Sequence, residues 1–376
     1  MLNNKKSNKK IFAFMNSYSS GKSGGDVLFL ELCKYFNQYA EITVITSCLG
    51  KKLALEYCDN LNFIITDKRK HFKNIIFTYL FRGIKALFFR IKLKIGDVLY
   101  GTSDFLPDVL PIFFYKLYNK KVMWVQKIYH IIPSNRKFSS YAQNFSFFLI
   151  KLLCNKIIVI NSNVKEYLIK KGFDEKKIEI IYPGINLNDI RNKKYKDCTN
   201  YSAVFVSRLT ESKGIYELIE IWSLVCKKIN NAKLAVIGSG DTEIINGLAG
   251  LIKVKNLENN INMLGYLKNN DMYSIIQSSK LFVFPSHEEG FGLSIAEAMA
   301  LETPVIVYNL DVYKEIYEDS VTYAELLNTA QFADKIVKLL NDEKLLAYYS
   351  KLGLEIVKRY DISKCAEKEL TIMGFI

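Results

Sequence analysis

The chain has 376 residues, 49% hydrophobic, 13% aromatic and 24% charged; that length suits two domains with full cores, and the composition excludes a disordered chain. Its 52 Lys and Arg against 38 Asp and Glu give a formal charge of +14. The excess is one-sided, because residues 1–190 hold 30 against 14 while residues 191–376 hold 22 against 24.

Strand and helix patterns alternate throughout, which predicts an α/β protein with parallel sheets. The charged amino-terminal residues lack an apolar core of signal-peptide length, and no run of eighteen apolar residues occurs, so a cytoplasmic chain is expected. Ile11 to Met15 reads as a strand feeding a glycine-rich loop, with a helix from Val27. Within that loop, Gly21-Lys22-Ser23 imitates the end of a P-loop, but the full pattern needs glycine at position 16, where the chain has Asn16. Residues 68–94 carry nine Lys and Arg, no acidic residue, and interleaved Phe, Leu and Ile. They predict a basic amphipathic helix lying on an anionic membrane surface; the competing reading is a core-packed helix with a solvated cationic face. No recognised nucleic-acid motif accompanies the charge, so nucleic acid is not an expected partner.

Asp97 to Asp108 reads as a strand, a polar loop containing Asp104, and a helix start. Lys121 to Pro133 contains a strand that runs out at His130. Pro183-Gly184 and the polar run from Asn188 to Asn200 mark a domain boundary, giving domains of 1–187 and 188–360. Tyr201 to Val206 is the next strand, and a turn from Ser207 to Gly214 leads into a helix near Ile215. Arg208 and Lys213, five apart at a strand's carboxyl end, suit a diphosphate held by a fork and a point charge. Finally, Lys280 to Phe284 reads as a buried strand, followed by Glu289-Gly290-Phe291-Gly292-Leu293 and a helix to Leu301. Gly290 and Gly292 let the backbone approach a ligand, and the helix start offers unpaired N–H groups to an anion. Glu297, one turn in, reaches a polar group carried by that anion, such as a sugar hydroxyl. Two carboxylates beside an anion are costly unless cations join them, and Arg208 and Lys213 are those cations. The combination suits a phosphate ester of a polyol, of which a nucleotide sugar is the commonest. Seven cysteines without a C-x-x-C pair and three histidines leave no metal spacing, so no metal site is expected and the thiols are expected reduced.

These two motifs resemble the signature of the retaining glycosyltransferases of family 4 (glycosyl transferases group 1). That family has the GT-B fold, two Rossmann-like domains facing each other across a cleft. Val159 to Ser162, Gly172-Phe173, Lys177 to Asn186, Leu234 to Gly240, and Leu264 to Tyr273 resemble further family segments in the same order. The likeness covers most of residues 155–320 and is looser over residues 1–150. It implies a metal-independent, retaining transfer from a nucleotide-diphosphate sugar, with no cofactor, to a saccharide or lipid-linked acceptor at the inner face of the membrane. By position it implies that Arg208 and Lys213 neutralise the donor diphosphate, that Glu297 holds the donor ribose, and that Gly290 to Leu293 frame the donor. Glu289 would face the donor sugar as an electrostatic and positioning group; Glu288 is a rival that lacks the spacing. Gly24 and Gly25 would open toward the diphosphate, His130 would lie near the donor sugar, and Asp104 and Asp108 would line the acceptor side. His287 reads as a loop residue beside the glutamates. The final helix, within 361–376, would cross back onto the first domain. Glu302 departs from the family, which usually has glycine there. The rival readings are a sugar-nucleotide epimerase of the same fold, a catalytically silent partner subunit, and a P-loop ATPase.

Overall fold

The computed structural model describes residues 7–18, 24–69, 75–133, 135–193 and 201–376. The chain divides into two compact units, one of residues 1–184 with 362–376 and one of residues 185–361. The glycine-rich loop that imitates a P-loop, residues 19–23, and the polar run 194–200 lie outside the described residues.

In chain order, the first unit contains β1 (Lys10–Met15), α1 (Gly24–Phe36), β2 (Glu41–Ser47), α2 (Cys48–Leu55), β3 (Asn62–Asp67), α3 (Ile75–Leu87), β4 (Val98–Gly101) and α4 (Leu106–Tyr118). It continues with β5 (Met123–Ile128), α5 (Lys137–Leu153), β6 (Lys156–Val159), α6 (Ser162–Lys170) and β7 (Ile178–Ile180). The second unit holds α7 (Leu187–Arg191), β8 (Ala203–Val206), α8 (Ile215–Lys228), β9 (Leu234–Ile237), α9 (Thr242–Val254), β10 (Ile261–Gly265) and α10 (Asn269–Ser278). It is completed by β11 (Phe282–Phe284), α11 (Leu293–Ala300), β12 (Val305–Tyr308), α12 (Asp311–Tyr317), β13 (Thr322–Ala324), α13 (Thr329–Leu340) and α14 (Glu343–Val357). The last helix, α15 (Ile362–Ile372), belongs to the first unit.

Both sheets are parallel, in the orders β3-β2-β1-β4-β5-β6-β7 and β10-β9-β8-β11-β12-β13. The strands read as apolar runs because both faces are covered: every residue of β4, β8, β9 and β12 is buried. One core of the first unit packs α1 and α15 against β1, β2 and β4, and the other packs α4, α5 and α6 against the opposite face. In each sheet the winding reverses beside its first strand, between β1 and β4 and between β8 and β11. Ligands of doubly wound sheets bind beyond the strand carboxyl ends at such a reversal.

Two sequence expectations shift. The helix expected from Val27 begins at Gly24 and takes both paired glycines into its first turn. Residues 68–94 are not one helix, since α3 ends at Leu87 and holds only Arg82 and Lys85 of the nine cations. Where it ends, the Tyr115 hydroxyl lies 2.8 Å from the Ala86 carbonyl and 2.6 Å from the Phe89 carbonyl, and its one proton satisfies one of these two acceptors.

Candidate functional site

The reversal in the second sheet is assembled by close backbone contact. After β8, a 3-10 turn at Glu211–Lys213 ends on Gly214 with φ of 68°. A Cβ at Gly214 would lie 1.8 Å from the Pro285 carbonyl oxygen, so only glycine lets this turn lie against the end of β11. The buried Ser286 hydroxyl sits between the carbonyls of Ser212 (3.2 Å) and Glu288 (2.9 Å), with one proton to share between them, and the His287 N–H donates to Ser212 O (2.9 Å). The loop after β11 is thereby fastened to the turn after β8.

That fastening brings together charges 76 residues apart. Lys213 Nζ sits 2.6 Å from Glu289 Oε1 and donates to the Glu288 carbonyl at 3.3 Å. Glu288 contributes its backbone there, and Glu289 its carboxylate. Arg208 is exposed and makes no ion pair among the described residues. His287 places Nε2 3.4 Å from Glu217 Oε1, toward α8.

The glycine turn is held from beneath. Phe291 is buried against the rings of Tyr317 and Tyr360, and the Tyr317 hydroxyl sits between the carbonyls of Phe291 (3.0 Å) and Gly292 (2.9 Å), with one proton to share between them. Phe291 therefore supports the loop from inside the protein, although its place in the motif suggested a donor contact. Gly292, with φ of 86°, starts α11 at Leu293, whose first N–H groups have no intrahelical partner. One turn in, Glu297 is half-buried and accepts from the Tyr273 hydroxyl at 2.7 Å. Burial pushes its carboxyl up to about 7, against the lowering effect of that hydroxyl. Tyr273 closes a segment that resembles the family, but its spacing from Glu297 carries no signal without the fold. Glu302 has φ of 61°, which explains why glycine suits that position; Arg191 Nη2 pairs with its carboxylate at 3.0 Å.

The reversal in the first sheet is closed upon itself. Asp108, at the start of α4, is fully buried and takes four donors: the N–H of Asn16 (2.5 Å), the N–H and hydroxyl of Ser17 (3.2 and 2.9 Å), and the Ser103 hydroxyl (2.6 Å). Burial raises its carboxyl to about 7 despite them. Asp104 is buried and accepts from Gln143 Nε2 at 2.7 Å; burial raises it, opposed by Gln143 and His130. Gln143 also donates to the His130 carbonyl, and the His130 residue is exposed just beyond β5. Both aspartates, expected to line an acceptor, hold loops in place. Arg82 of α3 is buried, with Nε 3.3 Å from Asp67 Oδ2 and Nη1 donating to the carbonyls of Asn16 and Tyr18. Gly25 faces the Tyr129 ring, where a Cβ would lie 3.0 Å from Cε2, and Gly24 is exposed at the helix start. Beside them, Lys127 Nζ and Glu369 Oε1 form a pair at 2.7 Å, each at most 2% exposed, which Tyr100 completes by donating to Glu369 Oε2. Among the described residues, no three His, Cys, Asp or Glu are placed to hold a metal ion.

The chain is similar to known proteins in sequence and in fold. Residues 187–355 match the family model described as Glycosyl transferases group 1. The chain is 29% identical over 253 residues to the capsular polysaccharide biosynthesis glycosyltransferase CapM of Staphylococcus aureus, covering 61% of this chain and 66% of CapM. It is 31% identical over 226 residues to the poly(ribitol-phosphate) alpha-N-acetylglucosaminyltransferase of S. aureus, covering 58% of this chain and 44% of that one. The matched stretch thus spans less than two thirds of these relatives. In structure, the chain superposes on Anabaena Alr3699/HepE, solved with UDP and glucose, with a TM-score of 0.77 and 16% identity over 98% of this chain and 100% of that one. The fold is the α/β GT-B fold of such glycosyltransferase structures.

Proposed function

We propose that this chain, whose residues 187–355 form a glycosyl transferases group 1 domain, moves a sugar from a nucleoside-diphosphate sugar to a saccharide or lipid-linked acceptor. The transfer retains the anomeric configuration and uses no metal. The observation that carries this reading is the set of charges on the loops leaving β8 and β11: unpaired Arg208, the Lys213–Glu289 pair, and Glu297 one turn into α11. A diphosphate at the start of α11 meets the free N–H groups of the helix, the Arg208 fork and the Lys213 ammonium. Those groups stabilise charge that grows on the departing diphosphate, which is the work a metal would otherwise do. Glu289 holds Lys213 in position and lies beside the sugar, while Glu297 accepts from a ribose hydroxyl. Retention follows if the departing diphosphate takes the acceptor's proton on the face it leaves. The names of the relatives, a capsular polysaccharide biosynthesis glycosyltransferase and a poly(ribitol-phosphate) alpha-N-acetylglucosaminyltransferase, support a cell-surface polymer as acceptor.

Calorimetric titration with a panel of nucleotide sugars, in EDTA, tests the reading on the wild type and on Arg208→Ala. We expect one base-selective ligand whose binding is lost in the variant, and transfer of its sugar with unchanged anomeric configuration by NMR. Binding of no nucleotide sugar, or binding indifferent to Arg208, overturns the reading. An epimer formed from the donor alone redirects it to an epimerase.

A further inference from the structure

We infer that the outer face of α3, α4 and α5 docks on an anionic lipid bilayer. The sequence pointed to one helix for such a role; the structure shows a layer of three. Of the 23 large apolar residues exposed among the described residues, 13 lie on these three helices. Phe77, Tyr118 and Tyr141 are 65%, 81% and 74% exposed, and Phe138, Phe148 and Leu152 are each more than half exposed. Helix α4 packs between α3 and α5, so the three present one contiguous layer. A soluble protein that leaves so broad an apolar face uncovered reserves it for an interaction.

Charge decides the occupant. Residues 68–153 contain sixteen Lys and Arg and three acidic residues, Asp97, Asp104 and Asp108. All three acids are buried, at 1%, 4% and 0% exposure, so this stretch turns no negative charge to solvent. Lys85, Arg90, Lys92, Lys94, Lys120 and Lys137 are among its exposed cations. Aromatic side chains flanked by cations, with no acid among them, match a bilayer's anionic headgroups over its acyl boundary. A second copy of this face would instead meet like charge. The layer also contains a cavity of about 150 Å³ between the three helices, lined by Leu80, Gly83, Leu106, Pro107, Leu110 and Ala142 among others. Its apolar lining suits an apolar guest, here the end of a lipid chain. No helix among the described residues is long and apolar enough to cross a membrane, so the contact lies on the surface.

This inference stands apart from the donor site and is tested without a donor. The full chain is sedimented with vesicles of phosphatidylcholine alone and of equal parts phosphatidylcholine and phosphatidylglycerol. The wild type is expected to pellet with the anionic vesicles at least about tenfold better, and less as salt rises. The double variant Phe77→Ser, Phe148→Ser changes only well-exposed side chains and is expected to lose about tenfold. The far-UV circular dichroism and melting temperature, followed in parallel, stay unchanged and show that the variant is folded. Wild type left in the supernatant with anionic vesicles overturns the inference, as does equal pelleting of the variant. A concentration-dependent dimer that the double variant abolishes, without vesicle binding, assigns the face to a second copy and overturns it too.

Discussion

The two sheets reverse in the same way, yet the chain treats the two reversals differently. In the first unit, Asp108 is sealed by four donors, Arg82 is bound to Asp67 and two carbonyls, and Lys127 is sealed by Glu369. In the second, among the described residues, Arg208 makes no ion pair and Glu297 takes one donor, while the Lys213–Glu289 pair keeps some exposure on each side chain. Asp108 and Glu297 show the contrast best, because burial raises both to about 7 while only Glu297 keeps room for a new partner. Charged groups at the carboxyl ends of strands thus serve two ends. Saturated, they fix loops; left under-coordinated, they wait for a ligand.

The contrast breaks most sharply in the first unit. Lys127→Met should lower stability by about 3–5 kcal/mol, because it strands a buried carboxylate, and adding Glu369→Leu should recover most of the loss. Urea unfolding of the single and double variants reads this directly, and a single variant with the wild-type midpoint removes the structural role. In the second unit, Arg208→Ala should weaken donor binding about 100-fold, or roughly 2.7 kcal/mol, without moving the melting temperature. A variant that loses stability and affinity together would erase the distinction between the halves.

Two finer tests concern the raised carboxyls. The folded-state value of Glu297 lies above the ordinary carboxylate range, so its favourable contribution is complete below pH ~4.5 and disappears as pH rises through about 7. Between roughly pH 5.5 and 8, the wild type should therefore lose about 1–2 kcal/mol more stability than Glu297→Gln. Denaturation curves at the two pH values measure the difference, and parallel loss in both proteins contradicts the buried carboxyl. The smallest effect is in protons. A donor whose hydroxyl binds the Glu297 carboxylate draws its pKa down, releasing about half a proton at pH 7. Calorimetry in buffers of different ionisation enthalpy should show that release in the wild type and not in Glu297→Gln, whereas sealed Asp108 contributes none.

What was legible in the sequence was what short-range chemistry decides. The fold class follows from alternating strand and helix patterns. Strand, glycine turn and helix around Gly292 follow from a run of residues that also fixes the separation of Glu289 and Glu297. The polar interior of the first unit was opaque, because each side chain is decided by a partner far along the chain. Asp108 is bound by Ser17, 91 residues away, and Lys127 by Glu369, 242 away. As residue types, both look like surface charges. Arg82 misled in the same way: counted among the cations of an amphipathic helix, it is buried and reaches inward to the carbonyl of Tyr18. For Phe291, motif position does not reveal that Tyr317 and Tyr360 lie beneath its ring.

The return of α15 to the first unit also orders events in time. The core around β1, β2 and β4 includes Ile362, Cys365, Ala366, Leu370 and Met373, and the ion pair of Lys127 requires Glu369. During synthesis these residues emerge only after both sheets and the whole second unit. The second unit, 185–361, is a continuous segment whose chain is complete first, whereas the first must hold its sheet with one core uncovered until residues 362–376 are made. Domains ordinarily mature from the amino terminus onward; here the half made first is finished last, and its apolar surface is most exposed to chaperones and proteases in that interval.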